Sequence, residues 1–184
     1  MSLPLPDAFE YRGRGYFLEG ANGRGLTCSR DFGLPYPPGW NAYRQTYALH
    51  EGRLVVRGIE FFAAKGQAPP VVDGVAPQPL PRSAGCGWRY DLRRPVPFEG
   101  YLLFGNVSLR NDRLASLPLP YPGAGGAHFE LGFIEGELVE ETDLTEPVAR
   151  LFAPEVAMKR KRVKDADALA LLDLLERRYR ITPF

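Results

Sequence analysis

The stretch from Tyr43 to Phe62 constrains the fold of this chain more than any other. Apolar and aromatic residues stand at alternate positions in both halves: Tyr43, Tyr47 and Leu49 in the first, and Val55, Ile59 and Phe61 in the second. Alternation with a period of two is typical of a half-buried β-strand. Glu51 and Gly52 lie between the halves, and Gly52 can supply the positive φ that a tight turn needs. The stretch is therefore predicted to be a β-hairpin.

The same alternation recurs further along the chain. It marks Cys86 to Leu92, Tyr101 to Arg110, His128 to Ile134 and Glu137 to Asp143. Phe9 to Leu18 is interpreted as a first strand with a bulge or a close backbone approach at Gly13 and Gly15. The 20 glycines and 18 prolines fall in loop-like clusters, which favours many turns between short strands. We therefore expect a single, mainly β domain over residues 1–184, built as an antiparallel β-sandwich or a partly open barrel.

One long helix is predicted at the C-terminus, over about residues 165–180. Helical spacing places five apolar or aromatic side chains in one stripe: Ala168, Leu171, Leu172, Leu175 and Tyr179. A stripe of this kind faces a core, so the helix is expected to pack on the sheet.

A second feature of the chain is the proline-rich segment from Gly66 to Arg82, with prolines at 69, 70, 77, 79 and 81. A long segment without secondary structure is unusual inside a compact domain. Prolines reduce the entropy lost when a segment is held in place. The segment is therefore predicted to be an ordered strap or lid.

Charge and apolar content exclude several classes of protein. The net charge is +1, so no overall field draws the chain to nucleic acid or to a membrane. No apolar run approaches the roughly 20 residues that span a bilayer, and Met1 to Pro6 lacks the features of a secretion signal. Cys28 and Cys86 form no C-x-x-C motif and are expected to be unpaired thiols. With arginine far outnumbering lysine, these features predict a cytoplasmic protein from a GC-rich bacterium.

Motifs of nucleotide binding and hydrolysis are missing from the sequence. No G-x-G-x-x-G opens a predicted helix, and no G-x-x-x-x-G-K-[ST] is present. The G-x-S-x-G turn that carries the nucleophile of many hydrolases is absent too. No catalytic residue is therefore assigned, no cofactor is expected, and a protein without enzymatic activity is favoured.

A weak metal-site pattern occurs at His128 and Glu130, which lie two residues apart on a predicted strand. Alternate strand positions share a face, so these side chains could form half of a metal site. The other histidine, His50, lies in a turn. The alternative interpretation is a polar, solvent-facing side of the strand opposite Phe129 and Leu131.

The aromatic residues admit two interpretations. Six amphipathic rings lie on predicted strands or loop ends: Trp40, Tyr43, Tyr47, Trp88, Tyr90 and Tyr101. They could line a cavity for an apolar ligand, as in a lipocalin-like barrel. The favoured interpretation is that they fill the core and its rim, because tyrosine and tryptophan bury a large area in any sandwich.

The clearest candidate for a binding surface is acidic. Glu130 to Glu146 carries several acids and no base, and a predicted hairpin within it places Glu135, Glu137, Glu141 and Asp143 in phase. Like charges at such spacing repel, and a face that meets a cationic partner tolerates them more readily. This hairpin is therefore predicted to bind a basic protein.

The segments HEGRLVVRGIE, GCGWRYDL and GYLLFGNV follow one another from His50 to Val107, mostly within the stretch from Tyr43 to Gly105. In this order they resemble a family of small, uncharacterised bacterial β-rich proteins. The resemblance implies a strand–turn–strand unit, a strand bearing Trp88 and a further strand. It carries over no catalytic residue, and the genetic neighbourhood of such proteins points to immunity or antitoxin partners.

The sequence thus supports two hypotheses of function. The first is a non-catalytic binding protein, of the immunity type that neutralises a basic toxin. The second is a β-barrel that binds a small ligand in an aromatic-lined cavity, with or without weak enzymatic activity. A ligand-sized cavity among the aromatic rings would favour the second, and a filled core with a charged face would favour the first.

Overall fold

The computed structural model describes residues 7–27, 29–34, 43–61, 69–80, 87–106, 109, 126–151 and 166–181. Within these ranges the strands are β1 (Ala8–Tyr11), β2 (Arg14–Arg24), β3 (Tyr43–His50), β4 (Arg53–Phe61), β5 (Gln78–Pro79), β6 (Trp88–Pro95), β7 (Glu99–Gly105), β8 (His128–Ile134) and β9 (Glu137–Asp143). The helices are α1 (Thr145–Leu151) and α2 (Ala166–Tyr179), and Ser29–Phe32 forms a single 3-10 turn. No helix in the described ranges is long and apolar enough to cross a membrane.

The strands form one large sheet in which a ring closes on itself. Their order is β3-β1-β2-β7-β8-β9-β4, with β3 also paired to β4, and β6 and β5 extend the sheet beyond β4. Of these pairings, β1–β3 is parallel and the others are antiparallel. The expectation of a mainly β, partly open barrel with a C-terminal helix is confirmed.

The ring is closed at one end only. β4 and β9 pair at Arg53 and Glu137, where the amide of Leu54 donates to Gly136 (2.8 Å) and that of Leu138 to Gly52 (2.9 Å). Beyond this point the same edge of β4 pairs with β6. The seam between β4 and β9 is therefore held by the turns at the ends of two hairpins.

Tight turns ending in glycine set the strand order. Arg12-Gly13 and Glu51-Gly52 each have positive φ at both residues, and Glu135-Gly136 has the same form. This is the two-residue turn whose twist matches that of antiparallel strands. The prediction of one bulged strand from Phe9 to Leu18 is wrong, because Arg12-Gly13 reverses the chain between β1 and β2.

Aromatic side chains fill the inside of the ring. Phe9 and Phe104 stack with their ring centroids 4.3 Å apart, and Phe129 packs against Phe104 at 5.7 Å. Tyr11 and Tyr16 approach these rings edge-on. Contacts of this kind add to the free energy gained by burying the rings. The ring thus encloses a packed core.

The two described helices cover the outside of β2, β7 and β8, where a second cluster of buried apolar side chains lies. β7 presents Leu102 and Phe104 to the inner core and Leu103 to this second cluster, as its alternation predicts. The predicted helical stripe is buried there at Ala168, Leu171, Leu175 and Tyr179, with Leu172 partly buried. Helix α1 was not predicted, since seven residues are too few to give a clear helical period.

The described part of the proline-rich segment, residues 69–80, lies against the sheet. Tyr90 donates its hydroxyl hydrogen to the carbonyl of Pro70 (2.7 Å), and β5 pairs with β6. Val72 is buried, and its bridge to Val75 spans a turn at Asp73 and Gly74. These contacts fit the expected strap.

Helix packing can be tested at Leu175, which is fully buried. Leu175→Ala should lower the free energy of unfolding by about 2–5 kcal/mol, because it leaves a cavity under the helix. Leu169→Ala is the matched control: Leu169 lies on the same helix, is 48% exposed and should change stability by less than about 0.5 kcal/mol. Equal losses in urea unfolding of the two variants would contradict packing of α2 on the sheet.

Candidate functional site

A β-bulge divides the acidic hairpin. Gly132 pairs with Glu140 and Phe133 with Leu138, so that Val139 has no partner on β8. Directly paired residues of an antiparallel sheet point to the same face. Glu141 therefore shares the face of its partner Leu131, whereas Glu137 shares the opposite face with Ile134. The expected single acidic parity is wrong, because the extra residue reverses the alternation between positions 137 and 141.

The predicted acidic residues have separate local roles. Glu137 accepts a hydrogen bond from Arg53 across the barrel seam, and Glu141 pairs with Arg12 at 2.6 Å. Asp143 accepts from the amide of Thr145 (2.9 Å) at the start of α1. Hydrogen bonds from the Thr145 side chain and amide lower the pKa of Asp143. Glu135 is an exposed turn residue.

A groove runs beside the outward face of this hairpin. It has a volume of about 560 Å³, and its floor includes Gly23, Gly100 and Gly132. A Cβ on Gly100 would lie 2.1 Å from the carbonyl oxygen of Asn22, so β2 and β7 approach too closely there for a side chain. A Cβ on Gly132 would lie 2.9 Å from the Tyr101 ring. The floor of the groove is therefore bare backbone at these glycines, and the Tyr101 ring forms one of its walls.

Two exposed aliphatic side chains flank the groove. Ile134 is 57% exposed and Val139 is 58% exposed, and both line it. Acidic side chains lie around them: Glu135 in the adjoining turn, Glu137 opposite Ile134, and Glu140 opposite Gly132. Apolar side chains surrounded by charge are typical of a surface that binds another protein.

Tyr101 and Glu140 are linked at the edge of the groove. The Tyr101 hydroxyl donates to Glu140 Oε2 (3.1 Å), and this hydrogen bond is the main cause of a raised Tyr101 pKa. The Arg178 guanidinium lies 4.3 Å from the centroid of the Tyr101 ring, within reach of a cation–π interaction. The wall of the groove is therefore fixed from both sides.

Behind this wall lies a buried polar pair. Glu130 is 4% exposed, and its Oε1 accepts from the Tyr179 hydroxyl (2.6 Å) and from Arg178 (2.9 Å). His128 is 1% exposed, and its Nδ1 lies 2.8 Å from the carbonyl oxygen of Gly126. The solvent-facing interpretation of these residues is wrong, because α2 covers Glu130 and the start of α1 lies beside His128. Among the described residues no group of three or more potential metal ligands occurs.

The aromatic candidates are distributed over different parts of the fold. Tyr47 and Tyr90 are fully buried, and the Tyr47 hydroxyl donates to the carbonyl of Thr27 (2.9 Å). Tyr43 packs partly buried against the inner core, and Trp88 is half-buried at the start of β6. Tyr101 lines the outer groove. Trp40 lies outside the described residues, as do Cys28 and Cys86.

Sequence reasoning missed the contribution of α2 to the site. The sequence pattern assigned Tyr179 only to the apolar stripe of the helix and gave Arg178 no role. The residue that could have indicated this contact was Glu130, an acid between the apolar Phe129 and Leu131 on a predicted strand. A buried carboxylate needs a cationic or hydrogen-bonding partner, and the C-terminal helix is the element that supplies one.

Comparisons with known proteins identify no relative: no protein-family model, curated protein or solved structure matches the chain. The resemblance of the segment from Tyr43 to Gly105 to small bacterial β-rich proteins therefore gains no support from them.

The hydrogen bond between Tyr179 and Glu130 predicts a loss of stability in alkali. Burial, and then the hydrogen bond to Glu130, raise the pKa of Tyr179 above its value near 10 in the unfolded chain. Its contribution is complete below about pH 10 and is lost as the pH rises further, since the unfolded chain releases the proton first. Tyr179→Phe should therefore be less stable than wild type at pH 7 and lose less stability between pH 9 and 11.

Urea unfolding across this pH range measures both effects. At pH 7 the phenylalanine leaves the buried carboxylate with one donor fewer, which typically costs about 1–3 kcal/mol. Parallel stability curves for wild type and Tyr179→Phe would show that the Tyr179 hydroxyl does not stay protonated inside the fold.

Proposed function

We propose that this chain is a non-catalytic binding protein whose groove beside β8 and β9 receives a basic segment of a protein partner. The observation that carries the proposal is the exposure of Ile134 and Val139 on the edge of the groove, within an acidic surround. Both are aliphatic side chains that would gain free energy by leaving water. Their position on a rigid strand pair lets a partner bury them without reordering the chain.

The charges around the groove favour a cationic partner. Glu99 is bridged by Arg24 at 2.6 Å, and Glu137 by Arg53. Glu135 and Glu140 form no ion pair with any described residue. Two carboxylates thus remain to attract lysine or arginine, which would speed the encounter and select the partner.

An immunity-type inhibitor is the particular function that best fits this surface. A toxin that acts on an anionic substrate has a basic surface, and an inhibitor covers it with acids and a few apolar anchors. The groove offers both kinds of contact. Its floor of glycines would let an extended segment of the partner lie close to the backbone of β2 and β7.

The small-ligand barrel has less support. The inner face of the ring is packed with stacked and edge-on aromatic rings, and the buried Tyr47 and Tyr90 belong to that core. A ligand site inside the ring would need these side chains to move apart. Close-packed interiors resist such displacement, so the outer groove is the better candidate.

Affinity capture with matched variants tests the proposal. The immobilised chain should retain a protein of basic pI from a lysate of the source organism at low salt. Ile134→Ser should reduce capture by at least about tenfold, because it removes an apolar anchor. Val71→Ser is the control, since Val71 is 63% exposed and does not line the groove.

A double variant tests the contribution of the acidic side chains to partner binding. Glu135→Asn with Glu140→Gln removes both carboxylates, and asparagine tolerates the positive φ of position 135. Capture by this double variant should fall mainly in association rate and lose its dependence on salt. Equal capture by wild type, both groove variants and Val71→Ser would contradict the proposed surface.

A further inference from the structure

A second recess lies on the outer face of β1, β3 and β4, away from the groove. Its volume is about 180 Å³, and Ala48 and Val55 contribute to its floor. These two residues are paired across β3 and β4. Their neighbours Tyr47, Leu54 and Val56 point into the ring, so Ala48 and Val55 face outward. Even so, Ala48 is 7% exposed and Val55 is 4% exposed.

The side chains around this floor are mostly cationic. Arg12, Arg57 and Arg93 line the recess together with His50, and Glu10 is the carboxylate among them. Long arginine stems can cover apolar surface while their charged ends stay in water. This accounts for the burial of an outward-facing alanine and valine. It also brings Arg57 and Arg93 to one small space, whereas the Arg12 guanidinium lies beside Glu141 and 5.0 Å from the centroid of the Tyr11 ring.

Two of these arginines have anionic partners outside the recess. Arg12 pairs with Glu141 at 2.6 Å, and Arg57 lies 3.9 Å from Asp91. Asp91 is shared, since Arg89 approaches the same oxygen at 2.7 Å. Arg93 forms no ion pair with a described residue, although it lines the recess.

The topology explains why these charges converge. The parallel pairing of β1 with β3 brings the turn at Arg12 and Gly13 to the same end of the sheet as His50. A register shift in β4 between Val56 and Gly58 places Arg57 at a bulge, where a side chain is often re-aimed. Both features belong to the fold of the ring itself.

We propose that this recess binds the phosphate group of a small phosphorylated ligand, with Arg93 and Arg57 as the principal donors. Guanidinium groups match the geometry of phosphate oxygens and form charge-assisted pairs with them. A space of this size holds a phosphate and a small substituent, whereas sites for whole drug-sized ligands are larger, about 300–1,000 Å³. The apolar floor suits the carbon part of such a substituent.

The recess and the groove are independent, and so are their tests. The groove is lined by residues of β2, β7, β8 and β9, and none of its lining residues lines the recess. Loss of phosphate binding would leave the protein-binding proposal intact. If phosphate binds but no protein is captured, the recess proposal stands and the groove proposal fails.

Titration of the isotopically labelled chain with inorganic phosphate, followed by amide chemical shifts, tests the proposal. Saturable shifts are expected at His50, Arg57 and Arg93. Sodium chloride at the same ionic strength should not reproduce them. Shifts that chloride reproduces, or that do not saturate by about 10 mM phosphate, where a Kd near 1 mM would be evident, would overturn the site.

Variants identify the donors. Arg93→Gln should weaken phosphate binding by at least about tenfold, since it removes a charge-assisted pair. Arg93→Lys should fall between Arg93→Gln and wild type, because lysine keeps the charge but loses the planar fork. Arg177→Gln is the control: Arg177 is an exposed residue of α2, where it pairs with Asp173 outside the recess.

A folding check accompanies these variants. Arg93 is exposed, so Arg93→Gln should melt within a few degrees of wild type. If Arg93→Gln unfolds, the phosphate affinity of Arg57→Gln tests the neighbouring donor instead. Unchanged phosphate affinity in a folded Arg93→Gln or Arg57→Gln chain would overturn the assignment of that donor, and unchanged affinity in both would overturn the proposal.

Discussion

Two backbone hydrogen bonds between hairpin turns hold the ring together. The amide of Leu54 donates to Gly136 and that of Leu138 to Gly52. Without this contact, β9 would be an edge of an open, curved sheet, with a row of unpaired backbone groups. With it, the sheet has a closed inner face that aromatic side chains fill. The outer face is then left for the helices, the groove and the cationic recess.

The outer layer depends on a second interaction, the burial of Glu130 beneath α2. Tyr179 and Arg178 satisfy the carboxylate, and the Arg178 guanidinium lies over the Tyr101 ring. A buried charge is tolerated only with such partners. This arrangement joins the helix, the strand and the wall of the groove in one network. The proposed binding surface is therefore supported by the same contacts that attach the helix.

The strands and the barrel class were largely predictable, whereas the closing contact between β4 and β9 and several side-chain positions were not. Alternation located β8 and β9 and separated Leu102 from Leu103, because strand side chains have a fixed period of two. The turn at Arg12-Gly13 was mistaken for a bulge, since glycine after a polar residue suits both. The burial of Glu130 and the cationic recess around Arg93 depend on contacts between distant segments, which local periodicity does not record.

The bulge at Val139 makes one hairpin serve two surfaces. Before it, residues at the tip belong to the closure of the ring. After it, Glu141 faces Arg12 and the inner side, where burial and Glu141 raise the pKa of Tyr11 to about 12. A single unpaired residue, Val139, thus changes which face the following residues of β9 point to. Substitutions of Ile134 or Val139 can therefore change the outward groove while Glu141 keeps its contact with Arg12 on the other face.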